Sequence, residues 1–383
     1  MQIFKYFFEK SKLTPKTISY PTYSFKYNYI NSERNYNYLN ISSIIMKLVT
    51  YQKKDLSLSL GIMIDDSVFD MQKSAFAIGH KLPSDMLDFI KGGEEFMEIA
   101  REVEVKIKKS GNVLPEKYLK LASPVPKPPS MRDGYAFRQH VASARFNRGV
   151  DMIKEFDSYP IFYFTNHNAV FGEGDVIVEK DHLQRLDFEL EWAVIIGKNG
   201  KNISSQDADS YIAGFTIMND LSARTLQMEE MMLNLGPAKG KDFATTLGPY
   251  LITPDELEDR KIETAFGNQY DLEMTAYHNG KQVSLGNTKD MTWTFAEIIE
   301  RASYGVELHI GDVIGSGTVG TGCYLELNGT WAREATEKGE KFTPVWLKSG
   351  EEIELRVEKL GSLKNKMVLS ENNVSILEKK KAI

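Results

Sequence analysis

The spacing of apolar residues changes along the first third of the sequence. Residues 46–72 alternate polar and apolar side chains around Asp65 and Asp66, and this alternation predicts a β-hairpin that turns at the acidic pair. Residues 84–109 instead repeat their apolar side chains at helical spacing. Glycines at 92 and 93 would break that segment into two helices.

Beyond residue 130 the pattern is mostly that of short strands separated by turns. Two helices are predicted among them, at about 222–235 and 292–303, and the second carries the capping-box pair Thr294 and Glu297. Asn279-Gly280 predicts a tight hairpin. The strand-like segments are 171–178, 186–196, 212–217 and 311–314. The predicted fold class is α+β, mainly β.

A proline run divides the chain. Residues 123–130 hold four prolines in eight positions and favour a stiff, extended linker. We therefore predict a small N-terminal domain over 46–122 and a larger catalytic domain over 131–383. Residues 1–45 are rich in Tyr, Asn and Lys, and we predict a disordered extension there, with a targeting segment as the alternative.

Composition narrows the possible partners. The formal charge of −6 and the pI near 5.7 provide no basic field, so nucleic acid is excluded as a partner. No run approaches 18 apolar residues, which argues against a membrane span and a membrane partner. The single cysteine, Cys323, excludes an intrachain disulfide and a Cys-rich zinc site. It fits a reducing, cytoplasmic setting, with a disulfide-free secreted protein as the alternative. We interpret it as a packed small residue.

Acidic residues alternate with apolar ones in the segment 186–193. On a strand Asp187, Glu189 and Glu191 would share one face and repel one another unless a cation or basic groups screen them. A solvated acidic face is the alternative. Asp220 ends a further apolar strand, where it is either another ligand or a helix cap. Such an all-oxygen set would suit Mg²⁺, Mn²⁺ or Ca²⁺.

His140 lies just past the proline run, in a segment that also contains an acid, a tyrosine and an amide. A structural histidine is the alternative to a catalytic one. Over residues 125–366 the sequence resembles the fumarylacetoacetate hydrolase (fumarylacetoacetase) family in an ordered set of motifs. These motifs are Asp133-x-Tyr135-x-x-Arg138-Gln-His140, Leu186-Asp-x-Glu-Leu-Glu191, Met218-Asn-Asp-x-Ser-Ala-Arg-x-x-Gln227, Gly240-Lys-x-Phe-x-Thr245, Trp293-Thr-Phe295, Gly311-Asp-x-Ile-x-Ser-Gly-Thr318, Leu325-Glu-Leu327 and Gly350-Glu-Glu-Ile-Glu-Leu with Leu360-Gly-x-Leu363.

The resemblance implies a mixed β-sandwich roll that pairs into a homodimer, with a small N-terminal β-containing domain. It also implies roles for particular residues, and each has a plainer alternative: Lys241 in a loop, Arg224 on a helix surface, Glu326 on a strand face. The implied metal ligands and neighbours are Asp133, Glu189, Glu191, Asp220, Lys241 and Thr245; the implied catalytic residues are His140, Glu326 and Lys241; the implied substrate contacts are Tyr135, Arg224, Gln227 and Thr318.

The implied activity is that of a hydrolase acting on carbon–carbon bonds in ketonic substances. His140, oriented by Glu326, would activate water, and the metal would stabilise the enolate that leaves from a fumarylacetoacetate- or acylpyruvate-like β-diketo acid. Catabolism of aromatic compounds or amino acids is the expected setting. The alternatives are a lyase or isomerase (2-oxo acid decarboxylase, sugar-acid dehydratase, hydroxydienoate isomerase) and a non-catalytic dicarboxylate- or metal-binding protein.

Some substrate-contacting positions depart from the family pattern. The glycine-rich loop 315–322 is short and is interpreted as a tight active-site turn, since it lacks the ending of a phosphate-binding loop. A second family tyrosine is expected near 166–168, where His167 is either a replacement contact or a loop residue. Arg145 and Arg148 both lie out of register with a family arginine. The substrate therefore stays open.

Overall fold

The computed structural model describes residues 46–110, 114–372 and 374–379, which belong to one compact unit. The predicted extension over 1–45 lies outside the described residues. The strands are β1 (Lys47–Gln52), β2 (Leu58–Ile64), β3 (Ser67–Asp70), β4 (Lys120–Leu121), β5 (Met131–Gly134), β6 (Phe162–Thr165), β7 (Val170–Phe171), β8 (Gly174–Val178), β9 (Leu186–Asp187), β10 (Leu190–Ile196), β11 (Gly200–Lys201), β12 (Ile212–Asp220), β13 (Ser222–Ala223), β14 (Thr245–Ile252), β15 (Lys261–Thr264), β16 (Gly267–Tyr270), β17 (Glu273–His278), β18 (Lys281–Asn287), β19 (Glu307–Leu308), β20 (Val313–Gly315), β21 (Glu352–Val357) and β22 (Gly361–Leu369).

The helices lie mainly on the faces of the sheets. The α-helices are α1 (Met71–Ala77), α2 (Met86–Lys91), α3 (Gly93–Ser110), α4 (Arg138–Phe146), α5 (Ser205–Ala208), α6 (Arg224–Met231), α7 (Phe295–Ser303) and α8 (Tyr324–Glu337). Short 3₁₀ helices span Lys154–Asp157, His182–Arg185, Asp209–Tyr211, Pro254–Arg260, Thr288–Asp290 and Leu377–Lys379. Within the described ranges, no helix combines the length and the apolarity that a membrane crossing needs.

One large sheet carries the fold. Its strands run in the order β3-β2-β1-β14-β12-β10-β20-β5-β6, with β4 on β1 and β7 on β14. The pairing of β1 with β14 joins strands that precede the proline run to strands that follow it. The chain on both sides of residues 123–130 thus contributes to one sheet, and the proposed domain boundary there stays a prediction.

The two faces of the large sheet pack against different layers. Along β10, Trp192, Val194 and Ile196 face a core shared with the second sheet, β18-β17-β21-β22-β8, and with α7. Ala193 and Ile195 face the opposite core, which α1, α2 and α3 cover. A strand buried on both faces is apolar throughout, as residues 190–196 are apart from Glu191. The mainly β, α+β class is confirmed.

Several local predictions are confirmed. The hairpin β2–β3 turns at Asp65 and Asp66, whose φ angles of 46° and 61° suit a tight turn. Asn279 and Gly280 likewise connect β17 to β18. The helical segment breaks between α2 and α3, and Thr294 forms the capping box at the start of α7.

One local expectation, the extent of a helix, and one alternative, a strand position for Glu326, were wrong. The helix expected at about 222–235 ends at Met231, because the chain reverses through Asn234, which has a positive φ, and Pro237. Glu326 lies on helix α8 and not on a strand face. Leu325 and Leu327 flank Glu326, and an apolar–polar–apolar triplet is typical of a strand. The helical spacing is recognisable only when Trp331, four residues after Leu327, is included.

Asp187 connects this helix to the sheet. Cys323, the residue before α8, provides no side-chain cap for the helix. The fully buried Asp187 carboxylate instead accepts hydrogen bonds from the backbone N–H groups of Tyr324 (2.7 Å) and Leu325 (2.9 Å). The same carboxylate accepts a hydrogen bond from Nε of Arg224 at 2.8 Å and lies 2.7 Å from Nη2 of that guanidinium. One anion therefore fixes the first turn of α8 and a buried guanidinium together.

Substituting Asp187→Asn should lower the free energy of unfolding by about 3 kcal/mol. Each carboxylate oxygen of Asp187 accepts a hydrogen bond from an N–H group. In either orientation of the asparagine amide, its NH₂ would face one of these donors, and that hydrogen bond would be lost. Urea denaturation measures the loss. Asp175→Asn, at an exposed position on β8, is the matched control and should change stability by less than about 0.5 kcal/mol. Equal stability of the two variants would contradict the role given to Asp187.

Candidate active site

The acidic residues converge at the ends of neighbouring strands. Asp133 lies on β5, Glu191 on β10 and Asp220 at the end of β12. Gly315 of β20 pairs with Asp133 on one side and with Ala193 on the other. This register places the carboxylates on the face of the sheet that Ala193 occupies, since side chains two residues apart share a face.

Three carboxylates form a compact cluster. One oxygen each from Asp133, Glu189 and Glu191 lies within 4.8 Å of the others, and all three side chains are buried. The N–H of Gly317 donates to both Asp133 and Glu191 at 3.1 Å. A Cβ at Gly315 would lie 2.5 Å from Oδ1 of Asp133, so only glycine leaves room for that carboxylate.

Asp220 extends the cluster through Lys241. The Lys241 ammonium lies 2.7 Å from Oδ2 of Asp220 and also donates to Glu189. The Tyr163 hydroxyl donates to the same oxygen of Asp220. The other oxygen, Oδ1, is buried and has no hydrogen-bond partner among the described residues. Thr245 lies directly opposite Asp220 on β14.

The crowded, buried surroundings shift the pKa values of these acids in opposite directions. Burial and the nearby Asp220 raise the pKa of Asp133 to about 8, and burial beside Asp133 raises the pKa of Glu191 well above its usual range. Burial acts in the same sense on Glu189, but the charges of Lys241 and Arg224 outweigh it and lower its pKa to about 2. Lys241 and Arg224 therefore favour the ionised form of Glu189, whereas burial and neighbouring acids favour the protonated forms of Asp133 and Glu191.

These residues fit a divalent cation. The donors are carboxylate oxygens, which Mg²⁺, Mn²⁺ and Ca²⁺ prefer. Asp220 offers an unpartnered buried oxygen. Burial and the neighbouring carboxylates raise the pKa values of Asp133 and Glu191, so both acids would be stabilised in their ionised forms by an added positive charge. A cation would supply that charge and replace the protons.

His140 and Glu326 form a buried pair beside the acids. Nδ1 of His140 lies 2.6 Å from Oε2 of Glu326, and the N–H of Thr321 donates to the same oxygen at 3.1 Å. With Nδ1–H donating to a carboxylate, the neutral imidazole keeps its lone pair on Nε2. The side chain of His140 lines a cavity, so this arrangement suits proton transfer to or from a bound molecule.

A cavity of about 940 Å³ brings most of the predicted residues together. Arg224 lines it but is also held by Asp187, by Glu189 at 2.7 Å and by Gln227 at 2.9 Å. Its guanidinium is buried, and the helix-surface alternative is therefore wrong. The predicted residues that line the cavity are Asp133, Tyr135, His140, Glu189, Arg224, Gln227, Lys241 and Thr318; those absent from its lining are Glu191, Asp220, Thr245 and Glu326.

The structure adds Tyr163, which the sequence patterns did not single out as a site residue. Tyr163 lines the cavity and contacts Asp220, three residues before the segment where a second tyrosine was expected. Tyr163 pairs with Asp133 across β5 and β6. Recognising residues 162–165 as a strand next to β5 would have indicated that Tyr163 lies beside this acid. Arg148 lines the cavity, whereas His167 is exposed on a loop. Cys323 is buried, as expected.

Comparison with known proteins extends these observations. The chain is 28% identical over 325 residues to oxaloacetate tautomerase YisK of Bacillus subtilis (strain 168), a match that covers 80% of this chain and 95% of the relative. It is 30% identical over 289 residues to the human mitochondrial oxaloacetate tautomerase FAHD2A, covering 75% and 81% of the two chains.

A solved structure shares the fold. Maleylpyruvate hydrolase from Sphingobium sp. SYK-6, crystallised in complex with manganese(II) and pyruvate, superposes with a TM-score of 0.58 at 20% identity and covers 85% of this chain and 100% of its own. Residues 130–368 match the family model for the C-terminal region of fumarylacetoacetate (FAA) hydrolase. This chain therefore belongs to the fumarylacetoacetate hydrolase family.

Proposed function

We propose that this protein is a divalent-metal-dependent tautomerase that interconverts the enol and keto forms of a 2-oxo acid of the oxaloacetate type. The observation that carries the proposal is that His140, paired with Glu326, lines the same cavity as Asp133 and Glu189 of the acidic cluster. Tautomerisation needs both a proton-transfer group and a stabilised enolate. The names of the bacterial and human relatives support this choice of reaction.

Asp133, Glu189, Glu191 and Asp220 would hold Mg²⁺, Mn²⁺ or Ca²⁺, with Lys241 and Thr245 beside it. When bound, the cation would supply positive charge for the oxygens of a 2-oxo acid and favour its enolate form. Lys241 keeps Glu189 ionised and in place through its hydrogen bond. The manganese in the maleylpyruvate hydrolase structure supports a divalent ion for this family.

His140 moves the proton. Its Nε2 accepts the proton of the enol hydroxyl, and a proton is delivered to the neighbouring carbon, so that an O–H bond breaks, a C–H bond forms and no water is consumed. Glu326 holds the imidazole orientation and stabilises the imidazolium between the two transfers. Tyr135, whose ring lies 6.0 Å from that of His140, together with Gln227 and Thr318, bounds the space for the acid.

Hydrolysis of a carbon–carbon bond is the second candidate. The 2.6 Å contact between His140 and Glu326 supports this candidate as well, because a histidine held by a carboxylate can also take a proton from water. In that case one substrate yields two acids, and oxygen from solvent enters a product carboxylate. Mass spectrometry after reaction of a β-diketo acid in ¹⁸O-labelled water separates the two reactions.

Three further expectations stay predictions. The family resemblance leads us to propose a homodimer. The single cysteine leads us to propose a cytoplasmic location, although the human relative is named as mitochondrial. The cavity offers a place for a small-molecule acid as the partner of this protein.

Substituting His140→Ala should lower the rate of oxaloacetate enol–keto conversion by about a hundredfold or more, because the proton-transfer group is lost. Loss of enol absorbance in the presence of Mg²⁺ measures the rate. The matched control is His167→Ala, since His167 is exposed and does not line the cavity. An undiminished rate in His140→Ala would contradict the proposed role.

Affinity of the metal-free protein for Mg²⁺ should rise between pH 6 and pH 8. Asp133, with a pKa of about 8, and Glu191, with a pKa well above its usual range, carry protons that the cation must displace, and each displaced proton contributes up to about tenfold per pH unit. Calorimetry in buffers of different ionisation enthalpy counts the protons released. Glu191→Gln should flatten the pH dependence, and equal affinity at both pH values would refute the prediction.

A further inference from the structure

The loop before helix α8 contains a strained residue. Thr321 has a φ of 66°, in the left-handed region that glycine adopts readily and that β-branched side chains rarely enter. Among the non-glycine residues with a positive φ in the described ranges, Thr321 alone is β-branched. The others include Asp65, Asn202 and Asn279, whose short polar side chains tolerate this conformation better. Such strain persists only where surrounding contacts hold it, so the contacts of Thr321 indicate what the strain achieves.

The Thr321 hydroxyl ties the loop to β18. It donates a hydrogen bond to the carbonyl oxygen of Leu285 at 3.2 Å. Its oxygen also lies 3.1 Å from the hydroxyl of Ser284, which acts as the donor because the single hydroxyl proton of Thr321 is already used. Glycine would be the unstrained residue at this φ, but it would remove both hydrogen bonds.

The backbone on either side of Thr321 is fixed to β10. The N–H of Val319 donates to the carbonyl oxygen of Leu190 at 3.1 Å, and the N–H of Leu190 donates to the carbonyl oxygen of Gly322 at 2.8 Å. Backbone bonds to β10 and hydroxyl bonds to β18 therefore both act on the same short loop. The direction of the Thr321 N–H is consequently set by contacts with two strands.

This N–H meets the catalytic pair. It donates to Oε2 of Glu326 at 3.1 Å, and the same oxygen lies 2.6 Å from Nδ1 of His140. One buried carboxylate oxygen thus receives both hydrogen bonds, so its position decides the orientation of the imidazole. Because His140 lines the cavity, a displaced Oε2 would turn the imidazole away from the geometry that proton transfer needs.

We propose that Thr321 is a positioning residue for the His140–Glu326 pair, and that its hydroxyl bonds to β18 hold a strained backbone whose N–H fixes Oε2 of Glu326. The inference rests on the proposed function, in which this pair transfers the proton. Thr321 does not line the cavity, so it acts through Glu326 and not on the substrate. Since the strain lowers stability while the position serves catalysis, substitutions at 321 should separate the two properties.

Replacing Thr321 by Gly, Ala or Ser in the full chain tests the proposal. Glycine and alanine both lose the hydroxyl, but only alanine keeps the strain, so Thr321→Gly should unfold at a higher temperature than Thr321→Ala. Both should lower kcat for oxaloacetate enol–keto conversion by about tenfold or more and leave KM within about twofold. Thr321→Ser keeps the hydroxyl and should restore most of kcat. A purely structural role would instead make the more stable Thr321→Gly the more active of the two.

Leu56 provides the matched control. It has a φ of 69° in the turn between β1 and β2, and its side chain is 67% exposed. Leu56→Gly should likewise unfold at a higher temperature than Leu56→Ala, because the same kind of strain is removed. Both Leu56 variants should keep the wild-type rate, since this turn contacts neither His140 nor Glu326.

A proton resonance reports the position of the pair directly. The proton of the short His140–Glu326 hydrogen bond should appear far downfield in the ¹H NMR spectrum, and its absence from His140→Ala assigns it. Below the unfolding temperature of every variant, we expect it in the wild type and Thr321→Ser, and broadened or shifted upfield in Thr321→Ala and Thr321→Gly. An unchanged resonance or a wild-type rate in Thr321→Ala would overturn the inference, as would absence of the resonance from the wild type. If the wild type does not convert the enol, the proposed function fails, and the resonance still decides whether Thr321 positions the pair.

Discussion

Glu189 is the carboxylate on which two buried cations converge. Lys241 and Arg224 both contact it, and each in turn binds a second acid, Asp220 and Asp187 respectively. In a buried setting an unpaired charge is costly, so these five groups hold one another in place. The position of the acidic cluster, the register of α6 and the first turn of α8 all depend on this network.

The network also explains why buried acids of the same site have different roles. Asp187 faces backbone N–H groups and a guanidinium, which makes it a structural anion. Glu191 and Asp133 share the N–H of Gly317, Glu191 also accepts from the Thr318 hydroxyl, and neither acid forms an ion pair in the described structure. The first kind of acid needs no metal, whereas the second kind is incomplete without one.

Much of the site could be predicted from the sequence because ordered motifs carry it. The resemblance brought Asp133, Glu189, Lys241 and His140 into one site, and the structure places them around one cavity. Periodicity alone could not do this, since an acidic strand face and a metal cluster have the same spacing. It also failed at Glu326, where three residues cannot separate a strand from a helix, and the burial of Arg224 follows from a pairing with Asp187 that no local pattern encodes.

The joining of β1 to β14, and of β5 to β20, has a consequence for how the chain folds. Residues 47 and 48 pair with residues 252 and 251, and residues 131–133 pair with residues 313–315. Pairings of such large sequence separation form slowly, because long loops must close first. During synthesis β1 leaves the ribosome long before β14 exists, and β5 long before β20. The acidic cluster, which needs β20 beside β5, is consequently assembled among the last features of the molecule, so that catalytic competence accompanies completion of the sheet.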